Sequence, residues 1–512
     1  MKNTILSLWV LFLINSLYAQ APAIQWQNSL GGSGNDYATS IYQIPTGEYS
    51  VGSYSNSTDG DFNVNTNGGI NFYAMYLYSN GQKYAGVALG GTGTDKMTFM
   101  QRTSEGGFIF VGYSNSNDGQ VSGNHGGYDY WVVKTSSLGQ LQWQKSLGGS
   151  GDDFAQSISP TSDGGYIIAG YTNSNDGDVT GNHGGNDCWI VKLDTSGNLQ
   201  WQKTFGGTGE DYANHCQQSS DGGYVFGATT FSNDGNVTGN HGGSDYWGVK
   251  LDALGNLLFQ KCFGGTANDT MNYVTQTADG GYAMVGKTNS NDGDVSGNQG
   301  GADCWMIKID LLGNTQWQIA FGGSGTDVAI AYQQTSDGGY IVAGYTDSTN
   351  GNVTGNHGGE DFWVTRLSAS GSLTWQKALG GTGNERANFV QQTSDGGYVI
   401  AGYSNSNNGD LTFNHGGDDV WAVKLASDAL GISSIETNQL TLYPNPTSTQ
   451  LNLQLSNALT IDKINIVDVT GKTVVEETQN THQLNVENLA TGIYIVKAFS
   501  ENQIFQTKFV KQ

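Results

Sequence analysis

Positive charge, proline, cysteine and long apolar runs are all scarce in this 512-residue chain, and each scarcity excludes a class of protein. Lys and Arg number 21 against 45 Asp and Glu, a formal net charge of -24. No basic cluster offers a footprint for nucleic acid or for an anionic membrane surface. The acid surplus reads as solubility after export, with cation binding as the alternative. The apolar segment Ile5–Ile14 is too short to span a bilayer as a helix. Set between Lys2 and a small-residue site at Tyr18-Ala19, it reads as the core of a secretory signal peptide over residues 1–19. No other segment is a candidate transmembrane helix. Five prolines beside 77 glycines, without a strict third-residue period, exclude collagen and fit turn-dense β structure. GxSxG, HExxH and phosphate-loop motifs are missing as well.

What the chain has is repetition. Gly-Gly pairs begin at Gly31, Gly90, Gly148, Gly206, Gly264, Gly322 and Gly380, spaced by 59 once and by 58 thereafter. Such regular spacing marks supersecondary blocks that bury their apolar faces only against one another. In the unit from Gly148 to Phe205, DDFAQSISPT, YIIAGYT, CWIVKLD and LQWQKTF are short runs rich in β-branched and aromatic residues. They read as four strands, two of the connections being tight turns and one the long polar stretch NSNDGDVTGNHGGND. No helical i, i+3, i+4 pattern occurs in the repeats.

Four antiparallel strands in each of seven units predict a β-propeller, with an open solenoid as the alternative. The chain ends decide between them. The last unit stops after its third strand, VWAVKL (Val420–Leu425). The strand it lacks, IQWQNSL (Ile24–Leu30), stands ahead of the first Gly-Gly, with Trp26 in register with Trp143, Trp201, Trp317 and Trp375. The expected fold is therefore all-β: a seven-bladed propeller over residues 20–425, closed by its N-terminal strand. Trp131, Trp189, Trp247, Trp305, Trp363 and Trp421 repeat on the third strand and read as packing between blades, against the alternative of a cofactor stripe. Cys188 and Cys304 stand two blades apart, and Cys216 and Cys262 on the first and fourth strands of one blade. Three strand spacings amount to roughly 14 Å, beyond the ~7 Å reach of a disulfide, so four free thiols are expected.

From Ala426 the period is lost. Residues 426–438 read as a linker and 439–512 as a small C-terminal β-sandwich with a turn at Thr470-Gly471. Leu442-Tyr443-Pro444-Asn445-Pro446, IDKINIVDVTGKTVV (Ile461–Val475) and LATGIYIVKA (Leu489–Ala498) resemble, in this order, the type A C-terminal sorting domain of the type IX secretion system. The resemblance implies engagement of that machinery through residues 439–512 and delivery to the surface or surroundings of a Gram-negative bacterium. It also implies removal of the tail on arrival. The repeats are similar to secreted propeller-like proteins found ahead of such domains, a likeness that implies no particular activity. A monomer is expected.

In such a blade the loop entering the first strand and the long loop between the second and third share one face, the expected binding face. Its repeated acids, Asp36, Asp95, Asp153, Asp211, Asp269, Asp327 and Glu385, fit turn residues accepting N–H bonds, or a general acid and base. His125, His183, His241, His357 and His415 belong to different blades, which favours a turn hydrogen bond over a zinc site; the first and fifth units carry Asn67 and Gln299 there. Calcium is a candidate at Asp59/Asp61, Asp176/Asp178 and Asp292/Asp294, where two carboxylates flank a glycine turn. A single site must break the sevenfold pattern. Positions that do so on the innermost strand include Tyr37, Lys96, Tyr212, His215, Tyr273 and Arg386, the candidate ligand-binding residues. Two functions remain open: a surface-delivered propeller binding a glycan or protein, and a carbohydrate-active enzyme using Glu385 or another axial acid.

Overall fold

The computed structural model describes residues 19–65, 68–428, 440–455, 461–468, 472–478, 482–500 and 503–512. The expected signal peptide, apart from Ala19, lies outside these residues, as do Asn67 and the Thr470-Gly471 turn. The chain divides into two compact units after Asp428.

The first unit carries seven four-stranded antiparallel sheets. Blade 3 pairs Asp153–Pro160, Tyr166–Thr172, Asp187–Leu193 and Leu199–Phe205 in chain order. Burial is deepest on the third strand and drops sharply at the outermost. The third strand DCWIVKL is buried at every position, whereas the fourth, LQWQKTF, is largely exposed or half-buried. This is why the third strand reads as a continuous apolar run and the fourth carries Gln and Lys, which protect an outer edge from pairing with other chains. Blade 7 has the order Ile24–Leu30, Asp419–Leu425, Tyr398–Ser404, Glu385–Gln392, so the N-terminal strand is its outer strand. Trp421 Nε1 donates to Gln27 Oε1 at 3.1 Å, as Trp189 Nε1 does to Gln202 Oε1 at 2.8 Å inside blade 3. Ring closure thus repeats the internal chemistry of a blade.

Blades stack through aromatic pairs. Tyr130 lies 4.4 Å from the ring of Trp189 in the next blade and donates to its carbonyl at 3.0 Å. All six third-strand tryptophans are among the most buried side chains, which assigns that stripe to packing. Trp26 is only half-buried, edge-on to Tyr49 at 5.2 Å. The four cysteines are buried free thiols.

The Gly-Gly marker follows from crowding. A Cβ on Gly148 would strike the Asp153 and Asp129 carboxylates, and one on Gly149 would strike Asp176. Two carboxylates meet the backbone there, so no side chain fits. At the outer ends, Lys134, Lys192, Lys250, Lys308 and Lys424 each pair with an acid of the tight turn, Lys192 with Asp163 at 2.9 Å. Asp428, three residues past the expected end of the propeller, still belongs to it: its carboxylate accepts from Trp375 Nε1 (2.8 Å), Arg366 Nε (3.1 Å) and Tyr398 Oη (2.6 Å).

The second unit has two sheets, one of Leu440–Tyr443, Gln450–Leu455 and Gln483–Asn485, the other of Thr473–Glu477, Lys463–Val467, Gly492–Ser500 and Gln503–Lys511. They share a core of their own that includes Leu451, Ile464, Ile466, Val496 and Phe509. Asn445 of the Tyr-Pro-Asn-Pro motif braces the last strand, accepting from Val510 N (2.9 Å) and donating to Lys508 O (3.1 Å).

Candidate functional site

On the face expected to bind, the polar side chains of the loops engage the main chain of neighbouring loops. In blade 3, Ser150 N, Gly151 N and Asp152 N donate to Asp176 Oδ1 (2.7 Å), Ser174 Oγ (3.0 Å) and Asn173 Oδ1 (2.8 Å). Gly148 N reaches Asp178 Oδ2 at 3.3 Å. The Asn-Ser-Asn-Asp-Gly-Asp stretch is therefore a clamp for the main chain of the Gly-Gly loop. The other acids considered for calcium do the same: Asp59 and Asp61 accept from Ser33 N and Gly31 N, Asp292 and Asp294 from Thr266 N and Gly264 N. Among the described residues no three His, Cys, Asp or Glu side chains cluster for a metal. These oxygens are spent on N–H donors, whereas a calcium site needs six to eight oxygens facing one ion.

The first-strand acids are buried. Asp153 Oδ2 accepts from Gly149 N (2.8 Å) and Ser174 Oγ (3.0 Å), and burial pushes its carboxyl up to about 6. Glu385 is likewise sealed, with Oε2 on Gly381 N and Oε1 on Ser404 Oγ, both at 2.8 Å. Both of its oxygens are buried and engaged within the fold. The histidines close turns: His183 N and Nδ1 meet Asp187 Oδ2 at 2.8 and 2.6 Å. Where Gln299 replaces histidine, no imidazole offsets the burial of Asp303, and that carboxyl rises to about 7.

The blades differ from one another at the axis. Each innermost strand carries a β-bulge, between Ala155 and Ser157 in blade 3, which leaves Gln156 as the extra residue. Bulges re-aim side chains and recur beside functional sites. The equivalent residues stitch the ring: Asn272 donates to Ala329 O at 2.8 Å, and Asn388 closes it on Ala38 O at 2.7 Å. Below the bulges the axis is filled by Phe99, His215, Tyr273 and Phe389, with His215 stacked on Tyr273 at 3.7 Å. His215 Nδ1 lies 2.7 Å from Val274 O, and a carbonyl can only accept, so the proton is on Nδ1. Burial lowers this imidazole to about 4, so it is neutral at pH 7.

Above this floor opens a cavity of about 370 Å³, lined by Tyr54, Lys96, Tyr113, Phe154, Gln156, Tyr171, His215 and Tyr273 among others. Tyr54, Tyr113, Phe154 and Tyr171 on its wall belong to a set of ring contacts that extends beyond it. Tyr403 meets Tyr37 at 4.8 Å and Tyr37 stacks on Tyr54 at 5.0 Å. Farther round, Tyr113 meets Phe154 at 4.8 Å, Phe154 meets Tyr171 at 5.2 Å, and Tyr171 meets Tyr212 at 4.9 Å. The set is broken in blade 5, where Thr270 pairs with Lys287. A second cavity of about 360 Å³ adjoins it, lined by Asn35, Tyr37, Tyr54, Asn56, Ile70, Lys96 and Tyr403. A third, of about 390 Å³, lies at the seam of blades 7 and 1 and has a mostly polar lining.

Of the six residues singled out from the sequence, Tyr37, Lys96, His215 and Tyr273 line the two axial cavities. Tyr212 and Arg386 stand outside both. Tyr212 Oη donates to Glu210 at 2.9 Å, and Arg386 is held by Glu360 and by the face of Tyr345. Missed were the second-strand tyrosines Tyr54, Tyr113 and Tyr171. Their signal was present: the tyrosine of AGYT and VGYS recurs, and it fails at Thr229 and Lys287. Register places each of these residues opposite the variable first-strand position, Tyr171 facing Phe154.

Comparison with known proteins separates the two units. Residues 441–512 match the secretion system C-terminal sorting domain family, Por_Secre_tail. The second unit is a type IX sorting domain. The protein is accordingly exported by that system to the cell surface or beyond. The regulatory protein FlaEY of Caulobacter vibrioides is 23% identical over 406 residues, 69% of this chain and 41% of its own length. The ulvan lyase NLR42 of Nonlabens ulvanivorans is 29% identical over 97 residues, 18% of each chain. The chain thus spans less than half the length of either relative. Among solved structures, the extracellular domain of BT4673 from B. thetaiotaomicron has a TM-score of 0.41 at 10% identity, covering 96% of this chain and 60% of that one. PorZ of Porphyromonas gingivalis has a TM-score of 0.30 at 11% identity, covering 98% and 87%.

Proposed function

We propose that the propeller is a surface-delivered glycan-binding protein whose sugar site is the aromatic mouth of the axial cavity. The observation that carries the reading is the set of rings Tyr54, Tyr113, Phe154 and Tyr171 on the wall of a cavity of about 370 Å³. Sugar rings present C–H faces that pack on aromatic rings, while their hydroxyls need amides and hydroxyls at the edge. Gln156 supplies an amide at that level, and Asn214, Asn272 and Asn388, whose NH2 groups bond main-chain carbonyls of a neighbouring blade, present amide oxygens there. The loop acids and histidines are less suited to the task, because their polar atoms are already committed to the main chain.

The test is a glycan array probed with the secreted protein, followed by titration of the best ligand against Phe154→Ala and Tyr171→Ala. Each substitution is expected to weaken binding about tenfold, as base or ring stacking losses of this kind do. Absence of binding to every glycan, or affinity unchanged in both variants, overturns the reading. Release of new sugar ends from a bound polysaccharide would move the protein to the hydrolase or lyase alternative.

A further inference from the structure

The seven blades place Tyr37, Lys96, Phe154, Tyr212, Thr270, Val328 and Arg386 at one equivalent inner-strand position, and only two of these are cations. Arg386 is neutralised in place: its Nη2 donates to Glu360 Oε1 at 2.7 Å and its Nε bonds the other oxygen. Lys96 has no carboxylate partner among the described residues; its Nζ sits 4.8 Å from the centre of the Tyr54 ring. Elsewhere the fold pairs the lysines it buries, Lys134, Lys192, Lys250, Lys308 and Lys424 each meeting an acid within 3.0 Å. Lys96, half-buried, meets no such acid although the chain carries 45 acids against 21 bases. Burial without a compensating anion holds its ammonium below the usual range. A half-buried cation left unpaired is costly unless something outside the chain supplies the charge.

The surroundings of Lys96 are donors. Asn56 Oδ1 accepts from Asn35 N (2.7 Å) and Asn35 Oδ1 accepts from Asp418 N (3.1 Å), which leaves both amide NH2 groups for a ligand. Both asparagines line the same cavity of about 360 Å³ as Lys96. The nearby acid, Asp418, is occupied at both oxygens, by Tyr37 Oη at 2.5 Å and Asn405 Nδ2 at 3.2 Å. One ammonium and two amide groups around aromatic walls describe a cradle for an anionic oxygen cluster. We infer that the cleft where blades 7, 1 and 2 meet recognises the carboxylate or sulfate group of an acidic polysaccharide, with Lys96 as its countercharge. This rests on the glycan reading of the axial mouth and names the class of sugar.

The test compares three hexasaccharides on the full secreted protein at low salt: a neutral β-glucan, a polyuronate and a sulfated galactan. At least one acidic ligand is expected to bind about 10–100-fold more tightly than the neutral one, the range of a charge-assisted hydrogen bond. The better of the two identifies the anion. The preference is expected to shrink with added salt, to collapse towards unity in Lys96→Met and to survive in Lys96→Arg. Lys287→Met, on the rim but outside both cavities, should keep it. Equal binding of neutral and acidic ligands, or a preference retained in Lys96→Met, overturns the inference while the glycan reading stands. Failure of all three to bind removes both.

Discussion

The loop ring and the axial mouth are built from the same seven units, yet they behave oppositely. In the ring, chemistry repeats almost without change: an acid caps each Gly-Gly loop, and a buried tryptophan, or Tyr73 in blade 1, recurs on each third strand. At the mouth, equivalent positions hold tyrosine, lysine, phenylalanine, threonine, valine and arginine. Repetition of a reactive-looking residue, such as the histidine of GNHGG, here signals a local hydrogen bond needed once per blade. Departure from repetition marks the place where the ring can meet one asymmetric ligand.

The sharpest way to break this comparison is to open the ring. Removal of residues 23–30 takes away the strand on Asp419–Leu425 and the Trp421–Gln27 bond. It exposes a strand edge, and the expected result is aggregation or loss of the cooperative melt. Removal of the sorting unit from residue 431 onwards should leave the propeller's melting unchanged and abolish export, since that unit has its own core. A ring that melts normally without residues 23–30 would contradict closure by that strand. Next in size is Gly148→Ala, whose Cβ meets two carboxylates. A loss of about 2–3 kcal/mol is expected from overpacking against two buried, hydrogen-bonded carboxylates, read as a lowered denaturation midpoint. Phe154→Ala should do the reverse, weakening sugar binding about tenfold with little change in stability because its site is open.

A smaller effect concerns pH. Burial raises Asp36, Asp153 and Asp245 to about 6 and Asp303 to about 7. A carboxyl raised on folding binds more protons folded than unfolded, so stability falls as pH rises from about 4 through 7. Asp163, lowered to about 2 by Thr161 and Lys192 despite its burial, acts in the opposite sense below pH 4. The melting temperature should therefore peak near pH 4–5 and drop by a few degrees towards pH 8. A rise over that interval would contradict the assignment. The smallest effect expected is that of calcium. With Asp176 and Asp178 on main-chain donors, millimolar calcium should scarcely move the melting temperature, and a shift of several degrees would restore those loops as a cation site.

The architecture was legible because period and register are sequence properties. Gly-Gly spacing counted the blades, and the displaced IQWQNSL strand disclosed closure. Even the cap role of Asp153 followed from its recurrence. The mouth was half legible. Lys96 and His215 stood out as breaks in a repeat, but Tyr54, Tyr113 and Tyr171 looked like part of it. Only the pairing of adjacent strands, Tyr171 opposite Phe154, turns those tyrosines towards the variable position. The main-chain partners of Asp176 and Asp178 were hidden for a related reason. Composition counts oxygens, whereas the N–H groups that occupy them arrive from a loop some 26–30 residues away.

The most direct test of the central claim is a crystal structure of the secreted protein with a bound oligosaccharide. The account predicts one ligand at the axis, a sugar face against Phe154 and Tyr171 and an acidic group beside Lys96. Sugars bound instead to the GNHGG loops of several blades, with the axial mouth empty, would contradict it.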